Sequence, residues 1–280
     1  MILNYIRWNA NPEIINIFGI SIRYYGLLFV SGLILCIYIS GWIYKRENLP
    51  SEHLEKLVIF GLIGIIAGAR LGHCLFYEPS YYLSHPLEMI LPVTFLPESG
   101  IKFTGYQGLA SHGGVSGLLI ALYFYSRKTK HPMLDALDLI AVVAGLSLGF
   151  IRLGNFMNSE IIGIQTTLPW GVIFERVDNI PRHPAQLYEA ISYLIIFTIM
   201  MILYKKFRDR LKNGFFFGLG SVLFFTARFL IEFVKENQVG FEDKMAFNMG
   251  QLLSLPFVLA GIGFIIYGLK MTKSSVHDTQ

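Results

Sequence analysis

Long apolar runs broken by short polar intervals dominate this chain. Runs that reach or approach the roughly 20 residues needed to cross about 30 Å of hydrocarbon as a helix fall near 20–44, 57–77, 113–125, 137–151, 187–204, 215–234 and 252–269. The pattern favours seven spans, with the third and fourth cores short enough to borrow flanking polar residues. Prolines and glycines sit mainly between the runs, and the glycines inside them point to close helix contacts.

The cations orient the spans. Lys45, Arg46 and Lys56 follow the first run, and Arg127, Lys128 and Lys130 follow the third. Lys205, Lys206, Arg208, Arg210 and Lys212 follow the fifth, and Lys270 and Lys273 lie in the tail. With seven spans all of these fall on one side, which the positive-inside rule makes cytoplasmic. The N-terminus is then outside and the C-terminus inside. The expected fold is all-α, a polytopic integral membrane helix bundle of about seven transmembrane helices. It is expected to form a single domain over 1–280, with outer loops near 78–110 and 152–186 carrying the site.

Composition points the same way. Hydrophobic residues make up 54% of the chain and charged residues only 15%, with a mean hydropathy of +0.52. A soluble domain carries about a quarter charged residues. The net charge of +4 is modest and gives no sign of a nucleic-acid partner. Cys36 and Cys74 lie inside apolar runs and read as small buried hydrophobes, ahead of a disulfide or a thiol nucleophile. No basic stretch with a short apolar core and a small-residue cleavage site opens the chain, so no cleavable signal peptide is expected.

Four arginines break the apolar pattern. Arg23, Arg70, Arg152 and Arg228 lie within or at the edge of spans, in their outer halves on this topology. A mid-helix arginine costs about 2.5–3.5 kcal/mol on insertion scales. Arg23 reads as an interfacial side chain that snorkels, whereas Arg70 and Arg228 are deep enough to call for a partner. Their convergence on one leaflet suggests an anionic ligand, and a phospholipid headgroup is the nearest abundant one.

Three clusters carry candidate chemistry. Arg152-Leu153-Gly154-Asn155-Phe156-Met157-Asn158-Ser159-Glu160 runs on to Gly163 at the edge of a hydrophobic span. Arg152 and Asn155 share a face if the helix continues past Gly154; a loop that merely caps its helix is the alternative. Ser111-His112-Gly113-Gly114 opens the third span with a proton-accepting imidazole and two glycines that permit close approach. A structural interfacial histidine is the plainer reading. Phe224, Arg228 and Glu232 fall on one face of the sixth span, where Arg228–Glu232 reads either as an intrahelical ion pair or as a carboxylate aiming an arginine at phosphate. Arg182-His183-Pro184 precedes the fifth span, with Pro184 placed to start its helix.

These residues resemble a known family. Arg-Leu-Gly-Asn-Phe-x-Asn-x-Glu-x-x-Gly at 152–163 is similar to the signature of the bacterial prolipoprotein diacylglyceryl transferases. So are Arg23-Tyr24-Tyr25-Gly26, Gly68-Ala69-Arg70-Leu71-Gly72, Ser111-His112-Gly113-Gly114, His183-Pro184-Ala185-Gln186-Leu187-Tyr188-Glu189, Arg228-Phe229-x-x-Glu232-Phe233 and Met249-Gly250-Gln251. The matches run in family order from about residue 13 to 270. The resemblance implies a multi-pass transferase of the bacterial cytoplasmic (inner) membrane, with its active site towards the outer face. It would move the diacylglyceryl group of phosphatidylglycerol to the lipobox cysteine thiol of a prolipoprotein, leaving a thioether and releasing glycerol phosphate. This is the first step of lipoprotein biosynthesis, and it needs neither cofactor nor metal.

The implied catalytic residues are His112, Arg152 and Arg228. Arg152, Asn155, Asn158, Glu160, Gly163, Arg70 and Tyr25 are expected to bind phosphatidylglycerol, with Glu232, Gly113, Gly114 and His183 in support. The expected partners are phosphatidylglycerol, prolipoprotein signal peptides with a lipobox cysteine, and the membrane. Two departures stand out: Ile151 where the family has glycine, and Phe224 where it has tyrosine. Either Phe224 keeps the ring packing or a neighbouring tyrosine supplies the hydroxyl.

Other functions fit less well. Gly114-Val115-Ser116-Gly117 suits a rhomboid-like serine protease, but His131, His183 and His277 fall in loops or the tail instead of a later span. A transporter would use the arginines for an anion, yet the related halves common in transporters are not found. A structural lipid-binding protein explains the arginines but not a histidine beside a phosphate site.

Overall fold

The computed structural model describes residues 5–17, 20–96, 100–103, 108–237 and 245–270 of the 280. Lys273 and His277 lie outside them. The chain forms two compact units, one of Met1–Trp42 with Leu137–Gln280 and one of Ile43–Ala136.

Its helices are α1 (Tyr24–Arg46), α2 (Ser51–Phe76), the short α3 (Pro79–Ser84) and α4 (Pro86–Ile90), α5 (Ser111–Thr129), α6 (Met133–Asn158), α7 (Ala185–Phe207), α8 (Phe215–Ile231) and α9 (Met249–Lys270). Short strands join them: β1 (Ile6–Trp8), β2 (Glu13–Ile17), β3 (Ile20–Arg23), β4 (Val93–Leu96), β5 (Gly100–Phe103), β6 (Val172–Phe174) and β7 (Pro181–Arg182). Among the described residues six helices, α1, α2, α6, α7, α8 and α9, are long and apolar enough to cross a bilayer. The run near 113–125 forms α5, whose 19 residues carry polar ends at Ser111-His112 and Ser126–Thr129. The fold is an all-α polytopic membrane bundle, as the apolar runs predict. Many large side chains on the spans are exposed, Tyr38, Ile63 and Leu259 among them. In water such faces would aggregate; in a bilayer they are the surface that meets lipid.

The larger unit corrects the first expected span. The apolar residues from 20 belong to a β2–β3 hairpin, and α1 starts only at Tyr24. Five β-branched isoleucines, Ile14, Ile15, Ile17, Ile20 and Ile22, fill this hairpin, which suits strands better than a helix. Arg23 closes it, pairing with Glu13 at 3.2 Å. The strand β1 pairs in parallel with β6, which pairs in turn with β7. Trp8 donates its indole N–H to the Phe156 carbonyl at 3.2 Å and packs on the Phe156 ring. This sheet therefore clamps the end of α6 from outside the helices.

Small residues set the helix spacing. In α6, Gly145 and Gly149 lie against α7: an added Cβ would fall 2.5 Å from the Tyr193 carbonyl oxygen at the first and 2.9 Å from Leu194 at the second. Apolar helices gain little from hydrophobic association inside lipid, so such close contacts supply the attraction. Asp138, fully buried on α6, accepts the backbone N–H groups of Gly214 and Phe217 at 2.7 Å each. It is a cap for α8 supplied by a different helix. Asn248 and Gln251 form a reciprocal capping box at the start of α9, at 2.9 and 3.1 Å.

In the smaller unit, α2 and α5 pack backbone to backbone. A Cβ on Gly68 would lie 2.3 Å from the Gly113 carbonyl, and one on Gly117 would lie 2.0 Å from that of Gly64. Gly113 is therefore taken up by helix packing, one of the two close approaches such a glycine permits. Gly114 has ordinary room, with its nearest neighbour Ala69 at 3.5 Å. Both cysteines are free and buried, as expected.

Candidate functional site

The signature residues lie at the end of α6 and the turn beyond it. The helix continues past Gly154 to Asn158, so Arg152 and Asn155 do share a face. Arg152 donates to the Asn155 side-chain oxygen at 3.3 Å, and Asn155 donates to Glu160 at 2.7 Å. Asn158 reaches the same Glu160 oxygen at 3.3 Å. Ser159 and Ile161, on either side of Glu160, are held at φ 56° and 57°. Non-glycine residues adopt this left-handed backbone at a cost of order 1–3 kcal/mol each, and such strain collects at functional sites. Here it folds the chain back, so that Glu160 meets Asn155 and Asn158. Tyr25 joins the group from α1: its ring packs on Gly154, and its hydroxyl feels the charges of Glu160 and Arg152.

A buried ionic chain lies behind Arg152. Its Nε is 2.9 Å from a Glu189 oxygen, and the other Glu189 oxygen is 3.6 Å from Lys235 Nζ. Lys235 is in turn 3.3 Å from Glu232. Glu189 is wholly buried, and Glu232 and Lys235 nearly so. Two cations and two carboxylates thus neutralise one another where solvation is poor, the condition for keeping charge inside a protein. Glu189 and Lys235 were not anticipated. The first closes the His183–Glu189 motif at the start of the fifth apolar run, and Lys235 follows the sixth.

Arg228 stands apart from this chain. The α-helix ends at Ile231 and Glu232 opens a 3-10 turn, so Glu232 faces Lys235 and not Arg228. The intrahelical Arg228–Glu232 pair does not form. Half-buried Arg228 makes no hydrogen bond or ion pair among the described residues. Its charge and that of Arg152 both act on Tyr193, whose ring meets Phe224 edge-on with centroids 5.7 Å apart.

Gly163 and His183 support the turn. Gly163 donates its N–H to the His183 carbonyl at 2.9 Å, and a Cβ there would lie 2.5 Å from His183 and 2.6 Å from the Val234 carbonyl. Glycine is required by this close approach. His183 lies 3.1 Å from the Tyr188 hydroxyl, and burial pushes its imidazole below the ordinary histidine value. Arg182 donates to the Gly163 carbonyl, to Asp178 at 2.6 and 2.9 Å, and to Glu236 at 3.2 Å.

The Arg182 guanidinium holds the Asp178 carboxyl below the usual aspartate value. A depressed folded value gives stability that is full above the unfolded value, near 3.9, and lost as pH falls through the folded one. Amide exchange across 163–183, normalised to intrinsic rates, is expected to stay flat from pH 7 to about 4 and to quicken below. Asp178→Asn should exchange at the faster rate throughout. Equal protection in both proteins at pH 7 would remove this tie.

A polar cleft of about 560 Å³ opens beside the turn, lined by Asn9, Asn11, Arg23, Asn158, Glu160 and Arg176 among others. The Asn158 side-chain oxygen, the Ser159 hydroxyl and the Gln186 side-chain oxygen are buried with no hydrogen-bond partner in the structure. Such oxygens accept hydrogen bonds from hydroxyl groups.

The smaller unit holds the other expected residues. Arg70 is buried, donating to the carbonyls of Glu88 at 2.5 Å and Met89 at 3.2 Å and lying over the Tyr82 ring. Glu88 accepts from the Phe95 N–H at 2.9 Å and the Tyr81 hydroxyl at 2.8 Å. Arg70 thereby ties down the α3–α4 segment. His112 is exposed in the first turn of α5 and makes no hydrogen bond among the described residues.

Comparison with known proteins bears on what this arrangement does. The profile of the family described as prolipoprotein diacylglyceryl transferase matches residues 12–267. A phosphatidylglycerol–prolipoprotein diacylglyceryl transferase of Bacteroides fragilis is 56% identical over 266 residues, covering 95% of this chain and 96% of that protein. The enzymes of that name from Tolumonas auensis and Chloroherpeton thalassium are 45% and 41% identical. These alignments cover 94% and 96% of this chain and 97% of each relative. A match of this extent means that the chain belongs to the prolipoprotein diacylglyceryl transferase family.

Proposed function

We propose that this protein transfers the diacylglyceryl group of phosphatidylglycerol to the lipobox cysteine of prolipoproteins, in the bacterial inner membrane and from its outer face. The observation that carries the chemistry is the unequal treatment of two arginines. Arg152 is fixed by Glu189 and Asn155, while Arg228 lies in an apolar helix with no carboxylate of its own. Phosphate is the ligand such a guanidinium suits, because its planar fork matches phosphate oxygens.

The precursor supplies the nucleophile. Its sulfur attacks the glycerol carbon that bears the phosphate ester, forming the C–S bond as the C–O bond breaks. The electron pair leaves with glycerol phosphate, and the thiol proton goes to a base. Arg152 and Arg228 grip the phosphate and offset the charge that builds on it, the role with the largest effect in a site shielded from water. Asn158 and Glu160, beside the polar cleft, hold the headgroup glycerol. Tyr25 and Asn155 keep Glu160 and Arg152 in place. Gly163 and His183 set the path of the turn, and Arg70 fixes the 78–90 segment. His112 is the proposed base, because an exposed imidazole is a side chain suited to accept a proton.

The test is purified protein in phosphatidylglycerol vesicles with a lipobox cysteine peptide. A peptide mass gain equal to diacylglycerol, with glycerol phosphate released, is expected. Neither product, with anion uptake instead, would favour a transporter. In this assay His112→Gln should bind phosphatidylglycerol normally and transfer about a hundredfold more slowly. Normal transfer would mean that the arginines alone ionise the thiol.

A further inference from the structure

Tyr193 lies in an apolar run and reads from sequence as core. It is buried on α7, one turn after Glu189, with a neighbourhood unusual for a packing residue. Its hydroxyl lies near enough to Glu189, Arg152 and Arg228 for their charges to act on it. Its ring stands edge-on to Phe224, which is one turn before Arg228 on α8. Gly145 makes this possible, because the Tyr193 backbone presses on α6 where any side chain would intrude.

Arginine donates hydrogen bonds and accepts none. A phenol oxygen near two guanidiniums can therefore only accept from them, and the edge-on contact with Phe224 limits where that oxygen sits. Glu189 holds Arg152 from one side and Asn155 from another, at 2.9 and 3.3 Å. A tyrosine one turn after Glu189 on the same helix is placed to limit the rotation these two leave open.

We propose that Tyr193 is a positioning residue for the transfer reaction. It acts through Arg152 and Arg228, setting the two guanidiniums so that one phosphate can engage both. The proposal rests on the transferase reading above.

Tyr193→Phe removes one oxygen and keeps the ring. The expected result is a fall in kcat of about ten- to a hundredfold, the size of a lost hydrogen bond to a charged group, with KM for phosphatidylglycerol nearly unchanged and the melting temperature unaltered. Such a split marks an interaction realised mainly in the transition state. Adding Phe224→Tyr to Tyr193→Phe returns a hydroxyl from the facing ring and should restore much of the rate. Wild-type kcat in Tyr193→Phe overturns the proposal. So does a lower kcat matched by a lower melting temperature without rescue, which is the mark of simple packing. If the unmodified protein transfers no diacylglyceryl in the same assay, the transferase reading falls and this proposal with it; a silent Tyr193→Phe beside an active parent sinks the proposal alone.

Discussion

Arg228→Lys should lower diacylglyceryl transfer by about a thousandfold while leaving the protein folded. The magnitude follows the upper end of what one preorganised donor to a developing anion contributes. Lysine keeps the positive charge but loses the planar fork that matches phosphate oxygens. The structure makes this substitution unusually clean. Arg228 has no protein partner among the described residues, so no internal ion pair is broken and folding has little to lose. The readout is single-turnover transfer in phosphatidylglycerol vesicles, alongside thermal melting of the same preparation. Full activity in Arg228→Lys would show that only charge is needed there, and the two-arginine grip on phosphate would have to be abandoned.

Glu189→Gln should act the opposite way, on stability first. Glu189 lies between Arg152 and Lys235 and is wholly buried. Removing its charge leaves two cations facing one remaining carboxylate, Glu232. Breaking a buried ionic group by deleting one partner costs about 3–5 kcal/mol. Arg152 also loses its Nε anchor, so the residual folded protein should transfer poorly. Adding Lys235→Met restores neutrality and should recover a good part of the stability, a coupling that a double-mutant cycle measures directly. If Glu189→Gln melts with the unmodified protein, the ionic chain is better solvated than its burial implies.

How much of this was legible beforehand depends on the scale of each feature. The spans were readable because lipid imposes a length of some 20 apolar residues, and every run that met it contains a long helix. Boundaries were less secure. The hairpin before α1 was read as helix because its isoleucines are as apolar as the span that follows. The strands of two to five residues gave no periodic signal at all. Within the site, the face shared by Arg152 and Asn155 followed from helix geometry. The partner of Glu232 did not, because it depends on α8 tightening into a 3-10 turn after Ile231, a change of one residue that redirects the carboxylate to Lys235. Glu189 and Tyr193 were hidden for another reason. Their importance comes from which helix they press against, and that was set by Gly145 and Gly149, two glycines in a run containing many small residues. Gly113 shows the same limit. A glycine that admits a ligand and one that admits a neighbouring backbone look alike until the neighbour is known.

The division of the chain bears on the order in which it can be completed. The smaller unit is one continuous stretch, Ile43–Ala136, so α2 and α5 have all their mutual glycine contacts once that stretch has been synthesised. The larger unit is interrupted: Gly32 on α1 seats against Ser147 and Phe150, which come more than a hundred residues later. At about 5–20 residues per second, the first helix is in the membrane for several seconds before its partners exist. During that interval its apolar face is matched only by lipid, and the hairpin with the Arg23–Glu13 pair is the folded structure at its start. Translation speed through the smaller unit therefore sets how long the lone helix must keep its place.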